Sequence, residues 1–193
     1  MRYHCFKKRL GLDIARQLLK IGAVKLRLHD PFTWASGWKS PIYCDNRLSL
    51  SFPEVRNNIK LALCDLIKEH YSNAEAIAGV ATAGIPQGAL LADALELPFI
   101  YIRPSSKSHG RTNQIEGVFS EGQKVVVLED LVSSGGSSLA AVDALRRKNI
   151  EVLGMTSIFN YGFPVAQQNF RDKAVELVYL CEYNLLIDLA LSE

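Results

Sequence analysis

Short apolar, β-branched runs alternate along this chain with segments of helical periodicity, and that alternation constrains the fold more than any other feature. Ala76 to Val80, Phe99 to Ile102, Val125 to Glu129, Val152 to Phe159 and Val175 to Leu180 each read as a strand bounded by turn residues. Helices are expected over Gly84 to Leu95, Ser137 to Lys148 and after Pro164. Strands apolar on both faces need cover on both faces, and an intervening helix lets the next strand return parallel. The expected fold is therefore α/β, a central parallel sheet flanked by helices.

Two further helices precede the first of these strands. Leu10, Leu12, Ile14, Leu18 and Leu19, interrupted by Asp13, Arg16 and Gln17, describe an amphipathic surface helix. Pro53 suits the first turn of a helix running to about His70, with Val55, Ile59, Leu63, Leu66 and Ile67 at helical spacing. Between them Phe32 to Asn46 reads as turns and short extended pieces. The basic stretch Met1 to Arg9 carries no assigned role, and it does not lead into the apolar core of a signal peptide.

The 193 residues, 48% hydrophobic and 22% charged, suit one well-buried core, so a single domain over residues 1–193 is expected. No apolar stretch approaches the roughly 20 residues of a membrane helix. A net charge of +2 gives no argument for nucleic acid or a membrane surface. Cys5, Cys44, Cys64 and Cys181 lack the close spacing of a metal knuckle or a redox pair, and a reduced, cytoplasmic protein is expected.

The run Val125-Val126-Val127-Leu128-Glu129-Asp130-Leu131-Val132-Ser133-Ser134-Gly135-Gly136-Ser137-Ser138 carries the chemistry. An apolar strand ends in two acids, and a Ser/Gly turn then opens a helix, the position where open parallel sheets bind ligands. Free N–H groups and the helix dipole favour an anion, glycines permit close approach, and the serine hydroxyls donate. Two carboxylates beside a phosphate need another task, which vicinal ribose hydroxyls or hydrated Mg²⁺ would supply. Neither the GK[ST] ending of a triphosphate loop nor GxGxxG is present. The plainer alternative is a serine-capped helix after a buried strand.

VVVLEDLVSSGGSS resembles the diphosphoribosyl-binding signature of the type I phosphoribosyltransferases. That resemblance implies a phosphoribosyltransferase fold with a small N-terminal hood, here about residues 10–50. It implies that Glu129 and Asp130 meet the ribose hydroxyls and assist Mg²⁺ held by the substrate diphosphate. Leu131, Val132, Ser133, Ser134, Gly135, Gly136 and Ser137 would wrap the 5-phosphate.

Two more segments narrow the class. Phe32-Thr33-Trp34-Ala35-Ser36-Gly37-Trp38-Lys39-Ser40-Pro41-Ile42-Tyr43-Cys44-Asp45-Asn46-Arg47 is similar to the hood of the orotate phosphoribosyltransferases. So is Arg103-Pro104-Ser105-Ser106-Lys107-Ser108-His109-Gly110 with Asn113-Gln114-Ile115-Glu116-Gly117, a lid loop over about 103–117. The likeness runs from about Leu12 to Phe170. It implies transfer of the phosphoribosyl group from 5-phosphoribosyl 1-diphosphate to orotate, in pyrimidine biosynthesis. Lys107 and His109 would be catalytic and, with Arg103, would bind the sugar diphosphate; Ser133 and Lys39 would bind orotate. A homodimer sharing its lid loops is also implied, without nucleic acid or membrane partners. Trp34 and Trp38 are expected to pack rather than stack on a base.

Four positions depart from the pattern of some members. Pro104 and Ser105 stand where others place a lysine after the lid arginine, Ala83 where others have a lysine, and Asn160 where others have a base-contacting arginine. A purine phosphoribosyltransferase would share the Glu129/Asp130 loop under a different hood. A non-enzymatic regulator on the same fold would typically lack the lid, against which Lys107 and His109 argue.

Overall fold

A computed structural model describes residues 1–27, 31–33, 39–104 and 114–192. The chain opens with β1 (Tyr3–Cys5) and α1 (Lys8–Lys20), then the short strands β2 (Val24–Leu26), β3 (Phe32–Thr33), β4 (Lys39–Ser40) and β5 (Ile42–Cys44). A 3₁₀ turn (Asn46–Ser51) leads into α2 (Pro53–His70), β6 (Ala76–Val80), α3 (Gly84–Leu95), β7 (Phe99–Ile102) and β8 (Ile115–Glu116). Then follow β9 (Lys124–Val132), α4 (Gly136–Arg146), β10 (Glu151–Asn160), α5 (Pro164–Asp172), β11 (Leu177–Glu182) and α6 (Tyr183–Ser192).

Seven strands form one sheet in the order β1-β11-β10-β9-β6-β7-β8. All neighbours are parallel except β7 and β8, which pair antiparallel through Tyr101 and Glu116. Strand alternation sorts the valines of β9 between two apolar layers. Val126 and Leu128 join Ile14, Leu63 and Leu91 on the α1/α2/α3 side. Val125 and Val127 join Leu139, Val142 and Phe170 on the α4/α5 side. Both layers are fully buried at β9, which is why its sequence shows no polar alternation.

Several sequence expectations need correction. β9 does not end at Glu129; it continues to Val132, with Glu129 opposite Ser157, Leu131 opposite Phe159 and Val132 opposite Asn160. The acids looked like a strand end because polarity rises there, but β10 runs on beside them and supplies the ladder. α4 starts at Gly136 and stops at Arg146, before Asn149 turns left-handed at φ 56°. The last strand begins at Leu177, because the Val175 N–H turns back to the Phe170 carbonyl and closes α5.

The first nine residues, given no role, include β1, the edge strand of the main sheet, with Tyr3, His4 and Cys5 opposite Leu177, Val178 and Tyr179. α6 was not anticipated. The hood segment is built of two antiparallel ribbons, β2 with β5 and β3 with β4. It stands over the carboxyl end of β9.

Candidate active site

Successive residues of a strand point to opposite faces, and at the end of β9 that rule divides the two acids. Glu129, 6% exposed, faces α4: its carboxylate accepts from Ser138 Oγ at 3.4 Å and from the Asp130 N–H at 3.2 Å. Asp130 faces the hood, where Arg47 is among the charges acting on it. Burial pushes the Glu129 carboxyl well above the usual carboxylate range, and the neighbouring Asp130 charge adds to this. Burial raises Asp130 too, against the opposing effects of its hydrogen bond to Glu129 and the Arg47 charge.

Among the described residues no group of three acids, histidines or cysteines gathers to hold a metal. A carboxylate is a hard oxygen donor of the kind Mg²⁺ takes, and Asp130 on the hood face would suit a cation that keeps most of its ligands from water and substrate.

The turn after β9 is shaped by Gly135. Its φ is +80°, and a Cβ there would lie 2.7 Å from the Phe170 ring. Gly135 is the N-cap of α4 and makes no side-chain cap bond. The serine cap expected on the plainer alternative is therefore not present. Ser138 Oγ turns instead to Glu129, while Ser134 and Ser137 are exposed. Asn169 Nδ2 on α5 donates to the Ser134 carbonyl at 3.0 Å and ties the turn down. The first N–H groups of α4 thus face the turn with nothing from a side chain satisfying them, the arrangement that attracts an anion.

On the hood side a cavity of about 380 Å³ is walled by Phe32, Tyr43 and Cys44 from the ribbons and by Leu131, Ser133 and Tyr161 from the sheet. The Tyr161 ring stacks on Phe163, centroids 5.4 Å apart. Its size and mixture of aromatic wall and hydroxyl edge suit a small planar ligand. Burial, and secondarily the Asp130 charge, pushes the Cys44 thiol far up; it stays protonated and is no nucleophile.

A smaller cavity of about 80 Å³ lies on the opposite side of the turn, between Arg103, Gln114 and Ser137. Arg103 Nη1 is 3.4 Å from Glu116 Oε1. Its N–H donates to the Gln114 carbonyl at 2.9 Å, and Gln114 Nε2 donates back to the Arg103 carbonyl at 3.0 Å. These bonds clamp Arg103, at the end of β7, to Gln114, just before β8.

The sequence-predicted residues therefore divide. Glu129 to Ser137 converge around one strand end, with Arg103 beside Ser137. Lys39 is exposed on β4, opposite Thr33, which lines the larger cavity. Ala83 is the N-cap of α3. Asn160 is fully buried, accepting from Tyr3 OH and the Gly162 N–H, so it does not reach the cavity; the next residue, Tyr161, does. Lys107, His109 and Ser105, and likewise Trp34 and Trp38, lie outside the described residues. Sequence reasoning missed Tyr161 and Asn46, the latter donating from its Nδ2 to the Asp130 carbonyl at 2.7 Å. Only their place inside or beside noted motifs could have flagged them.

The chain belongs to the phosphoribosyl transferase family, whose domain model matches residues 54–177. Its branch is that of the orotate phosphoribosyltransferases. It is similar to the orotate phosphoribosyltransferase of Cytophaga hutchinsonii, 58% identical over 93% of this chain and 86% of that one. The crystal structure of orotate phosphoribosyltransferase from Aeropyrum pernix matches with a TM-score of 0.82 and 29% identity, over 93% of this chain and 99% of that one. The structure of Leishmania donovani UMP synthase shares the fold, with a TM-score of 0.81 and 24% identity, over 96% of this chain but 39% of that one.

Proposed function

We propose that this protein transfers the 5-phosphoribosyl group from 5-phospho-α-D-ribose 1-diphosphate to orotate, giving orotidine 5′-phosphate and diphosphate for pyrimidine synthesis. One observation carries the reading: an acid pair on β9 sits between an anion-attracting turn and an aromatic-walled cavity, in a chain 58% identical to an orotate phosphoribosyltransferase.

The turn from Ser133 to Ser137 takes the 5-phosphate. Glu129 and Asp130 take the ribose hydroxyls and would assist Mg²⁺, whose chemistry there is to offset the charge of the diphosphate. The cavity under Tyr43 and Tyr161 takes the base, with Ser133 at its edge and Lys39 supplying a cation to the orotate carboxylate. As the sugar–diphosphate bond lengthens, positive charge grows on the sugar ring and negative charge on the leaving diphosphate, as in glycoside hydrolysis. Arg103, Lys107 and His109 stabilise the leaving group more than the bound substrate, which is what lowers the barrier. The lid formed by residues 103–117 closes over the site and excludes water. The same proposal makes the working form a homodimer sharing lids, places it in the cytoplasm, and treats residues 1–193 as one domain with its hood at about 10–50. No helix among the described residues is long and apolar enough to cross a membrane.

The test is loss of orotate absorbance on mixing protein, orotate, sugar diphosphate and Mg²⁺, with omission of each component as control. Turnover of a purine base but not orotate would move the protein to another branch. Saturable binding of the sugar diphosphate without turnover of any base would make it a regulator.

A further inference from the structure

The hood and the sheet are joined by a chain of buried polar side chains that none of the proposed substrate contacts uses. Gln87, 2% exposed in the first turn of α3, donates from Nε2 to Ser49 Oγ at 3.2 Å. Ser49, fully buried in the 3₁₀ turn, donates to the Asn46 carbonyl at 2.6 Å. Asn46, 1% exposed, donates from Nδ2 to the Asp130 carbonyl at 2.7 Å and accepts at Oδ1 from Cys44 Sγ at 3.3 Å. The path thus runs from α3, through the hood, to the peptide of one ribose-binding acid and to one wall of the base cavity.

Burying three polar side chains is costly, and an apolar seam would hold two surfaces together as firmly. What directed bonds add is a fixed relative position, since an apolar contact tolerates sliding and a 2.7 Å hydrogen bond does not. The walls set in this way belong to different elements. Cys44 lines the cavity from the hood, and Leu131, which follows the pinned carbonyl, lines it from β9.

We infer that Asn46, braced by Ser49 and Gln87, is a positioning residue that sets the width of the base cavity and hence the alignment of the base against the ribose. This rests on the function proposed above. Asn46 touches the phosphate turn at no described contact, and it holds Asp130 by the peptide carbonyl rather than by the carboxylate, so its larger effect falls on the base and its smaller one on the sugar diphosphate.

The experiment is steady-state kinetics and equilibrium binding on the wild type, Asn46→Ala and Gln87→Met. Gln87→Met nearly preserves shape, removes the far end of the relay and guards against Asn46→Ala failing to fold. Asn46→Ala is expected to raise KM for orotate about tenfold and to lower kcat, while Kd for the Mg²⁺ complex of the sugar diphosphate stays within about twofold. Gln87→Met should shift KM for orotate in the same direction by about threefold, and the double variant should fall short of the product of the two. Equal changes for both substrates, or none, overturn the assignment. Amide hydrogen exchange of residues 42–50 supplies a readout independent of turnover. Faster exchange in Gln87→Met supports the relay even if the wild type does not turn over orotate, an outcome that removes the proposed function alone. Unchanged exchange with unchanged KM removes the relay.

Discussion

At Gly135 a single methyl group meets two separate obstacles, a φ of +80° and the Phe170 ring 2.7 Å from where Cβ would lie. Gly135→Ala is expected to lower unfolding free energy by about 2–4 kcal/mol in urea titration and to weaken binding of the sugar diphosphate. Glu129 gives a pH-dependent expectation. Its folded-state pKa lies above the ordinary 4.5, so over the window above 4.5 the folded state holds a proton that the unfolded state has released. Its contribution to stability is therefore complete below 4.5 and declines as pH rises through that window. Glu129→Gln should raise the melting midpoint of the ligand-free protein at pH 8, flatten its decline between pH 5 and 8, and cut turnover at least about tenfold. Parallel melting curves for the two proteins would refute the assignment of that slope to Glu129. That Glu129, Asp130 and Gly135 gather at one strand end was legible in the sequence because they belong to one continuous motif. Asn46 was not, since its hydrogen-bond partner lies 84 residues further along the chain.

At the scale of elements, legibility follows the same division between local and borrowed structure. α2 and α3 fall where periodicity places them, Pro53 opening one and Gly84 the other. The end of β9 and the whole of β1 owe their strand character to a neighbour. Tyr3-His4-Cys5 is too short and too polar to announce itself, and its pairing is supplied by β11. The element is nonetheless well tied. The Tyr3 ring meets Phe170 edge-on at 5.8 Å, Arg2 Nη1 lies 2.6 Å from His70 Nδ1, and Phe6 is 8% exposed. Deleting residues 1–6 is expected to cost about 2–4 kcal/mol, from burial lost at Tyr3 and Phe6, and to speed amide exchange along β11. Thermal unfolding with exchange mass spectrometry checks both; an unchanged midpoint would show that β1 adds nothing to the sheet.

For the whole molecule, the proposed lid sharing makes a prediction about mixtures. Lys107→Ala should reduce turnover far more than binding of the sugar diphosphate, and Asp130→Asn should be similarly slow. If each lid serves the neighbouring site, dissociating and reassociating the two inactive variants at equal amounts yields hybrids with one intact site. Recovered activity would then approach roughly a quarter of wild type. Recovery near zero would mean that each chain closes its own site.

Glu129 and Asp130 are carried inside a seven-stranded sheet, each side of β9 paired or packed, with the hood anchored to the same peptide. Groups held in that way have little conformational freedom to lose when a ligand arrives. On the proposed function, the entropy of binding the sugar diphosphate, measured by calorimetry, should therefore report on ordering elsewhere in the site. If Glu129 and Asp130 take the ribose as proposed, that recognition is expected to contribute to affinity chiefly as enthalpy, organised before the substrate is met.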